Sequence, residues 1–552
     1  MKATGAEIVV ELIKREGVSV VTGIPGGSNL PLYDALYDSG LHHVLSRHEQ
    51  GAGFIAQGMA RSTGKPGVCI ATSGPGATNL LTAIADAKLD SVPIVAITGQ
   101  VSRGLLGTDA FQEVDTYGMS LPVVKHSYLV RSSRELLSII PEAFRIAVSG
   151  RPGPVLVDIP KDVLLEEAEF DAYPERSAPD PPLMPDPAAI EAAAAMLEES
   201  KRPFLYFGGG VISSGAHNEL ASLSRKAAIP AASTLMGLGC LPPGHPLYLG
   251  MIGMHGSRAV NLLVEEADLF IAVGARFDDR ATGDPRHFAQ NARVIHIDAD
   301  DAEINKIRAS ELGIHADARA ALAALSDLVR ARDGGEWASR ARDLIASSSL
   351  PERDAASHPR ELVRAIARAA GPDAIVTTDV GQHQMWAAQA YPVLRPRSFL
   401  TSGGLGTMGF GLPAAIGAAL ANPGRRIVCI TGDGSLLMNV QELATLAELG
   451  LDVSVFVFDN GRLGLVRQQQ ELFYGGRYSA SRFESRIDFA AIGRGFGVEA
   501  ESAALGGAGE AIGRALGGRG PRLLSLRIRE EENVLPMVPP GGANVDAIAE
   551  GA

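Results

Sequence analysis

The stretch Arg426-Ile427-Val428-Cys429-Ile430-Thr431-Gly432-Asp433-Gly434-Ser435 decides the fold. Its apolar run reads as a buried strand and residues 436–449 carry helical periodicity, so Asp433 falls at a strand-to-helix turn. A second apolar run, Val453-Ser454-Val455-Phe456-Val457-Phe458, leads to Asp459-Asn460. Asp433 and Asn460 stand 27 residues apart. That is close to one βαβ unit of roughly 30 residues, which puts both side chains at the carboxyl edge of neighbouring parallel strands, where ligands bind. A hard cation such as Mg²⁺ takes oxygen ligands and keeps phosphate oxygens among them, so one carboxylate, one amide and a backbone carbonyl suffice. Gly432 and Gly434 let the backbone approach a diphosphate. The same residues also suit an ordinary βα turn with Asp as N-cap. Two such strand ends together favour the metal site.

Around this motif lie 552 residues with 46% hydrophobic content, enough for three or four domains with buried cores. Net charge is −13 and the 50 Lys and Arg form no basic run, which argues against a nucleic-acid partner. Cys69, Cys240 and Cys429 stand far apart in apolar settings, as expected of reduced core thiols in a cytoplasmic protein. The amino terminus has Glu7 and Glu11 in a helical pattern and reads as neither signal nor transit peptide. Residues 398–424 are uncharged, but their glycines, Pro413 and Asn422 point to a tightly packed segment and not a membrane span.

Apolar strands alternating with helical patterns recur along the chain, the signature of parallel α/β sheets. Three doubly wound parallel-sheet domains are expected, over 1–165, 188–330 and 360–552. Residues 166–187, rich in Pro, Asp and Glu, read as a surface linker, and charged, Ala-rich sequence over 330–360 closes the second domain. No short-period repeat is visible.

Gly404-Leu405-Gly406-Thr407-Met408-Gly409 fits GxGxxG, yet no strand of usual length precedes it, so a dinucleotide fingerprint is not expected there. Met408 among glycines suggests instead a side chain propping up a ligand. Glu49 opens a helix whose Gly51, Ala52, Gly53, Ala56 and Gly58 permit close packing. At an exposed helix start it complements the dipole; buried, it suits proton exchange with a heterocycle. Arg276, after the strand at 269–273, is placed to clamp a carboxylate or phosphate, or else to pair with Asp278 or Asp279. His383 has no ligand-like spacing and reads as a polar or packing residue.

These residues, with Gly23-Ile24-Pro25-Gly26-Gly27, His48-Glu49-Gln50-Gly51, Ser73-Gly74-Pro75-Gly76-Ala77-Thr78-Asn79 and Gly107-Thr108-Asp109-Ala110-Phe111-Gln112-Glu113, resemble the thiamine-diphosphate enzymes. Among them the likeness is to the catalytic subunits of acetolactate (acetohydroxyacid) synthases and runs nearly end to end. The resemblance implies an N-terminal pyrimidine-binding domain, a central FAD-binding-like domain and a C-terminal diphosphate-binding domain. It implies Mg²⁺ on Asp433, Asn460 and the Arg462 carbonyl, and thiamine diphosphate against Gly381, Gln382, His383, Gly406, Gly432, Gly434 and Ser435, bent over Met408. Glu49 is implied to share a proton with the aminopyrimidine. Phe111, Gln112 and Lys161 are implied to line the active site, Gln112 as a donor to developing oxyanions. Arg276 is implied to orient the acceptor's carboxylate. A non-redox FAD is implied on Gly208, Gly209, Gly210, Thr234, Leu235, Met236, Met254, His255, Gly256, Gly274, Arg276 and Asp298.

The implied reaction joins a two-carbon unit from pyruvate to a second 2-oxo acid, in branched-chain amino-acid biosynthesis. A homodimer is the implied minimal unit, or a homotetramer, with a regulatory small subunit in biosynthetic members. One departure stands out. Where the family has Val-Arg-Gln-Trp-Gln, this chain has Val466-Arg467-Gln468-Gln469-Gln470. An amide in place of an aromatic wall weakens discrimination between acceptors or shifts it toward a more polar one. A related carboligase of specialised metabolism therefore stays open as a rival, beside a pyruvate oxidase and a catalytically silent assembly partner.

Overall fold

The computed structural model describes residues 1–348 and 358–549. Part of the Ala-rich stretch expected to close the second domain, residues 349–357, lies outside the described residues, as do 550–552 at the end of the third.

Among the described residues, three six-stranded sheets, each wholly parallel, organise the fold. Their central strands are largely apolar on both faces because helices cover both; every residue of Ile94–Gln100, Pro203–Phe207 and Ile427–Gly432 is buried. The first sheet runs His42–Leu45, Val20–Gly23, Gly67–Ala71, Ile94–Gln100, Val155–Pro160, His126–Leu129. Taken in chain order this is 2-1-3-4-6-5. The third sheet repeats that winding with Phe399–Leu400, Ile375–Thr378, Ile427–Gly432, Val453–Asp459, Arg522–Arg527 and Glu499–Ala503. The middle sheet differs: Tyr248–Met251, Ala231–Ser233, Pro203–Phe207, Leu269–Val273, Arg293–Asp298, Leu312–His315, the 3-2-1-4-5-6 order of dinucleotide-binding folds. A small antiparallel pair, Lys2–Thr4 with Glu167–Glu169, ties the chain start to the exit of the first sheet.

The first and third sheets share one core. Ile55, Ala56 and Leu80 pack in a single apolar cluster with Leu412, Ile416, Leu436 and Leu443. The helices Glu49–Thr63 and Gly411–Ala421 cross at glycine contacts, where a Cβ on Gly58 would overlap the Ala414 carbonyl and one on Gly417 the Ile55 carbonyl. The middle sheet has its own core, closed by Trp337, whose indole N–H donates to the Pro203 carbonyl at 2.8 Å. The three thiols are buried and unpaired. Among the described residues no helix is long and apolar enough to cross a membrane.

One expected element is broken. The periodic stretch 436–449 forms two helices, Asp433–Leu436 and Glu442–Glu448, with a turn between them. Asn439 in that turn is buried and hydrogen-bonds across the domain boundary, which competes with the helix's own ladder.

Candidate functional site

In the third sheet the winding direction reverses between Ile375–Thr378 and Ile427–Gly432, so a crevice opens beyond their carboxyl ends. Gly381, Gln382 and His383 leave the first strand; Gly432, Asp433, Gly434 and Ser435 leave the second. Ser435 Oγ donates to the Val380 carbonyl at 2.6 Å, joining the two turns. Gly381 has φ +148°, and a Cβ on Gly432 would stand 2.7 Å from His383 Nδ1, so both glycines make room for the imidazole. Burial holds His383 neutral, its pKa pushed down to about 3 against a bond to the Asp379 carbonyl. Its Nε2 is buried without a partner.

Asp433 and Asn460 meet across neighbouring strand ends. Asp433 Oδ1 accepts the Gly434 N–H at 2.7 Å, while Oδ2 accepts those of Asn460 at 3.1 Å and Gly461 at 2.6 Å. Burial raises its pKa to about 7, opposed by the N–H groups of Gly434 and Gly461. Asn460 Oδ1 accepts the Arg462 N–H at 3.1 Å, and its amide donates to Gln382 Oε1 at 3.2 Å. The Arg462 side chain turns away, to Glu530 at 2.7 Å. A carboxylate, an amide oxygen and nearby carbonyls form an all-oxygen donor set of the kind Mg²⁺ takes. The orphaned imidazole nitrogen and the glycine-lined turn suit a phosphate group beside it. Met408 reaches this turn, its methyl 3.6 Å from where a Cβ on Gly434 would lie.

Glu49, Gln112, Phe111 and Lys161 lie at the corresponding edge of the first sheet. Glu49 begins the helix Glu49–Thr63, half-buried, and accepts from Asn79 Nδ2 at 3.0 Å. Gln112 sits in the left-handed region at φ +59°, and a Cβ on Gly74 would stand 2.8 Å from its carbonyl oxygen, so that glycine lets the loop close onto the turn beside Glu49. Glu113 pins the loop by accepting the N–H groups of Gly107, Thr108 and Ala110. Phe111 beside it is 88% exposed. Lys161 opens the short helix after Val155–Pro160, half-buried.

A cavity of about 920 Å³ follows the switch point of the middle sheet, between Pro203–Phe207 and Leu269–Val273. Gly208, Gly209, Gly210, Thr234, Leu235, Met236, Met254, His255, Gly274, Arg276 and Asp298 line it, together with Gly406 and, at one end, Leu465 and Gln469. Gly256 does not; it packs on the backbone of Ile252. Arg276 makes no ion pair with Asp278 or Asp279: Asp278 caps a short helix and Asp279 lies 3.7 Å from Arg280. Its guanidinium faces the glycine loop instead, 3.3 Å from where a Cβ on Gly404 would lie. The Gln469 amide makes no hydrogen bond to another described residue and faces the same space. Glu49, Asp433 and Asn460 do not line this cavity.

Sequence reading passed over Asp379. Fully buried after Ile375–Thr378, it accepts the Gly409 N–H at 2.7 Å and Thr431 Oγ1 at 3.2 Å, and burial raises its pKa to about 6. Its place, one residue beyond an apolar strand like that of Asp433, was the available signal. It also passed over the wall formed by Asp180, Pro181, Pro182 and Leu183, linker residues that close part of the cavity.

The chain matches family profiles over all three sheets: "Thiamine pyrophosphate enzyme, N-terminal TPP binding domain" over residues 3–119, the central domain over 190–325, and the C-terminal TPP binding domain over 379–526. The acetolactate synthase isozyme 1 large subunit of Escherichia coli (strain K12) is 53% identical across 99% of this chain and 98% of its own length. The isozyme 2 large subunit of the same organism is 49% identical over 99% of both chains. A probable acetolactate synthase large subunit of Methanocaldococcus jannaschii is 46% identical over 98% of this chain and 94% of its own. With these likenesses spanning nearly every residue, the chain belongs to the thiamine pyrophosphate enzyme family, alongside the large subunits of the acetolactate synthases.

Proposed function

We propose that the chain is the catalytic subunit of an acetolactate synthase. It decarboxylates pyruvate and joins the remaining two-carbon unit to a second 2-oxo acid, giving 2-acetolactate from pyruvate or 2-aceto-2-hydroxybutyrate from 2-oxobutyrate, for branched-chain amino-acid synthesis in the cytoplasm. The observation that carries this is the 53% identity over 99% of the chain to a relative of that name. The same likeness does not favour the specialised-metabolism carboligase.

Thiamine diphosphate, when bound, supplies the carbon nucleophile. For the protein's part, Asp433, Asn460 and the Arg462 carbonyl are the residues that would hold Mg²⁺, and the orphaned His383 Nε2 with the turns at Gly381, Gln382, Gly432, Gly434 and Ser435 would receive the diphosphate. Glu49 holds and returns a proton at its carboxyl oxygen, a role for which a general acid contributes ~10²–10⁴-fold. Arg276 offers the acceptor's carboxylate an unpaired guanidinium, Gln112 an N–H donor to a developing oxyanion, and Phe111 and Lys161 the surrounding wall. The middle-sheet cavity, with its glycine-rich switch point, suits FAD in a structural role.

Glu49 and Asp433 stand at the edges of different sheets and neither lines the middle-sheet cavity, and Phe111, in the loop that closes onto the Gly74 turn, stands 88% exposed. Both facts support a homodimer or homotetramer in which a second copy completes each site. The relatives' designation as large subunits supports a small regulatory partner. Mass spectrometry of products from pyruvate alone, and from pyruvate paired with 2-oxobutyrate, tests the proposal. Acetolactate and CO₂ in equal amounts are expected; turnover of pyruvate to acetate or acetyl phosphate with flavin reduction would overturn it.

A further inference from the structure

We infer that Glu442 is a positioning residue for Glu49, delivered from the diphosphate-binding domain to fix the backbone that enters the Glu49 helix. The inference rests on the role given to Glu49 above, and its geometry is independent of that role. Glu442 Oε1 accepts the N–H of Arg47 at 2.9 Å and of His48 at 3.1 Å, the two residues before Glu49. Its Oε2 accepts from Thr445 Oγ1 at 2.7 Å. On the other side of Glu49, Gln50 Oε1 accepts from Asn439 Nδ2 at 3.0 Å, and the same amide donates to the Gly409 carbonyl at 2.9 Å, next to Met408. The flanks of Glu49 are thus held by one segment of the opposite domain, whereas among the described residues its own carboxylate accepts a hydrogen bond from Asn79 alone.

Glu442 is an expensive way to hold an interface together. It is fully buried and makes no ion pair among the described residues, since the Arg47 guanidinium goes to Glu448 and the Leu45 carbonyl. Burying a carboxylate without an ion pair costs free energy, offset here by the Thr445 hydroxyl, the two backbone N–H groups and the more distant Arg47 charge. Gly51 is shaped to it: a Cβ there would overlap the carboxylate, and glycine inside a helix costs about 1 kcal/mol relative to alanine. The contact of a carboxylate with the opposite domain's backbone also occurs a second time, there with an ion pair from Asp90 to Arg61 at 2.8 Å. In the other half of the pair of like-wound sheets, Asp90 follows the helix Pro75–Leu89 and accepts the N–H groups of Gly403 at 2.9 Å and Gly404 at 2.7 Å, at the entry to the loop that carries Met408. Each domain therefore sends a carboxylate to the backbone that presents the other domain's residue toward the coenzyme.

The test compares Glu442→Ala, Glu442→Gln and Gly51→Ala with wild type, using amide hydrogen exchange over residues 45–52 without thiamine diphosphate and steady-state kinetics with it. Glu442→Ala should speed exchange at Arg47 and His48 and lower kcat by about 10- to 100-fold, the loss expected from a displacement near 1 Å, with KM for pyruvate within about twofold. Glu442→Gln keeps an acceptor oxygen and should recover most of both. Gly51→Ala pushes the carboxylate off from the opposite side and should reproduce Glu442→Ala, so the inference stays decidable if that variant does not fold. Glu448→Ala removes a surface contact to the same Arg47 and should change neither readout; Glu49→Gln sets the floor for kcat. Fast exchange with unchanged kcat, or a loss confined to KM, would overturn the inference. If wild type makes no product from pyruvate, the proposed function has failed instead, and exchange at Arg47 and His48 still decides whether Glu442 holds this turn.

Discussion

Gly417 lies so close to Ile55 that a Cβ on the glycine would overlap the Ile55 carbonyl oxygen, which is backbone and cannot swing aside. Two helices from different domains therefore approach at a distance only glycine allows. Gly417→Ala gains about 1 kcal/mol of helix propensity but meets overpacking of ~1–3 kcal/mol or more, so the balance is destabilising. Gly513, in the helix Ala508–Gly517 with open space around its Cβ position, provides the contrast. Gly513→Ala should raise the melting temperature and Gly417→Ala should lower it; a rise in both would mean that the helices stand further apart.

Asp433→Ala should abolish the stabilisation that Mg²⁺ and thiamine diphosphate give together. A ligand at 100 times its dissociation constant adds about 2.7 kcal/mol to the stability of the protein that binds it. Wild type should therefore melt several degrees higher with both present, and the variant should not respond. The variant should also start lower, because it leaves the N–H groups of Gly434, Asn460 and Gly461 without their acceptor, each worth ~1–3 kcal/mol if it stays buried. An undiminished response to Mg²⁺ would remove Asp433 from the metal site.

The central strands were legible because their residues are largely apolar on both faces, as Ile427–Gly432 and Leu269–Val273 illustrate, and a parallel sheet between helices demands that pattern. Asp433 and Asn460 were legible for a related reason: each ends such a strand, and one βαβ unit separates them. The carboxylates at Asp90 and Glu442 left no such trace. Their partners lie 313 to 395 residues away, and no local spacing encodes a contact of that range. The same contacts explain the broken helix, since Asn439 leaves the helical ladder of 436–449 to reach Gln50 and Gly409. The exposure of Phe111 was likewise invisible, because an apolar residue in a loop reads as buried until the surface is seen.

Asp158 gives the first domain a pH-sensitive element. It is buried on Val155–Pro160, accepting from Thr98 Oγ1 at 2.6 Å and Gln100 Nε2 at 3.0 Å, and burial pushes its pKa up to about 7. A carboxyl with a raised folded pKa contributes stability that is full below its unfolded value, near 4, and is lost as pH rises through about 7. Asp158→Asn keeps both bonds if its amide donates to Thr98, and removes the charge. Its advantage over wild type should therefore grow from about pH 4 to 7 and level off above, reaching on the order of 4 kcal/mol. Unfolding measured across that range checks the sign; a difference independent of pH would show that Asp158 stays ionised in the folded protein. Gln100 also donates to the Val114 carbonyl at 2.8 Å, so the pH effect should extend to exchange rates in the loop that carries Phe111 and Gln112.

Gln469 is the residue at which the proposed choice of acceptor can be tested. It borders the cavity with Leu465, its amide without a hydrogen bond to another described residue, and presents a polar wall where the resemblance implies an indole. An apolar pocket separates substrates that differ by one methylene by ~10–200-fold, and an amide wall forfeits most of that because water competes for it. Wild type should thus use pyruvate and 2-oxobutyrate nearly in proportion to their concentrations. Gln469→Trp adds apolar contact for the extra methylene of 2-oxobutyrate and should raise the ratio of 2-aceto-2-hydroxybutyrate to 2-acetolactate by about tenfold or more, with little change in the rate of pyruvate decarboxylation. Competition between the two acceptors, read by product mass spectrometry, measures the ratio directly. An unchanged ratio would place acceptor selection elsewhere in the cleft, at Arg276 or on the surface around Phe111.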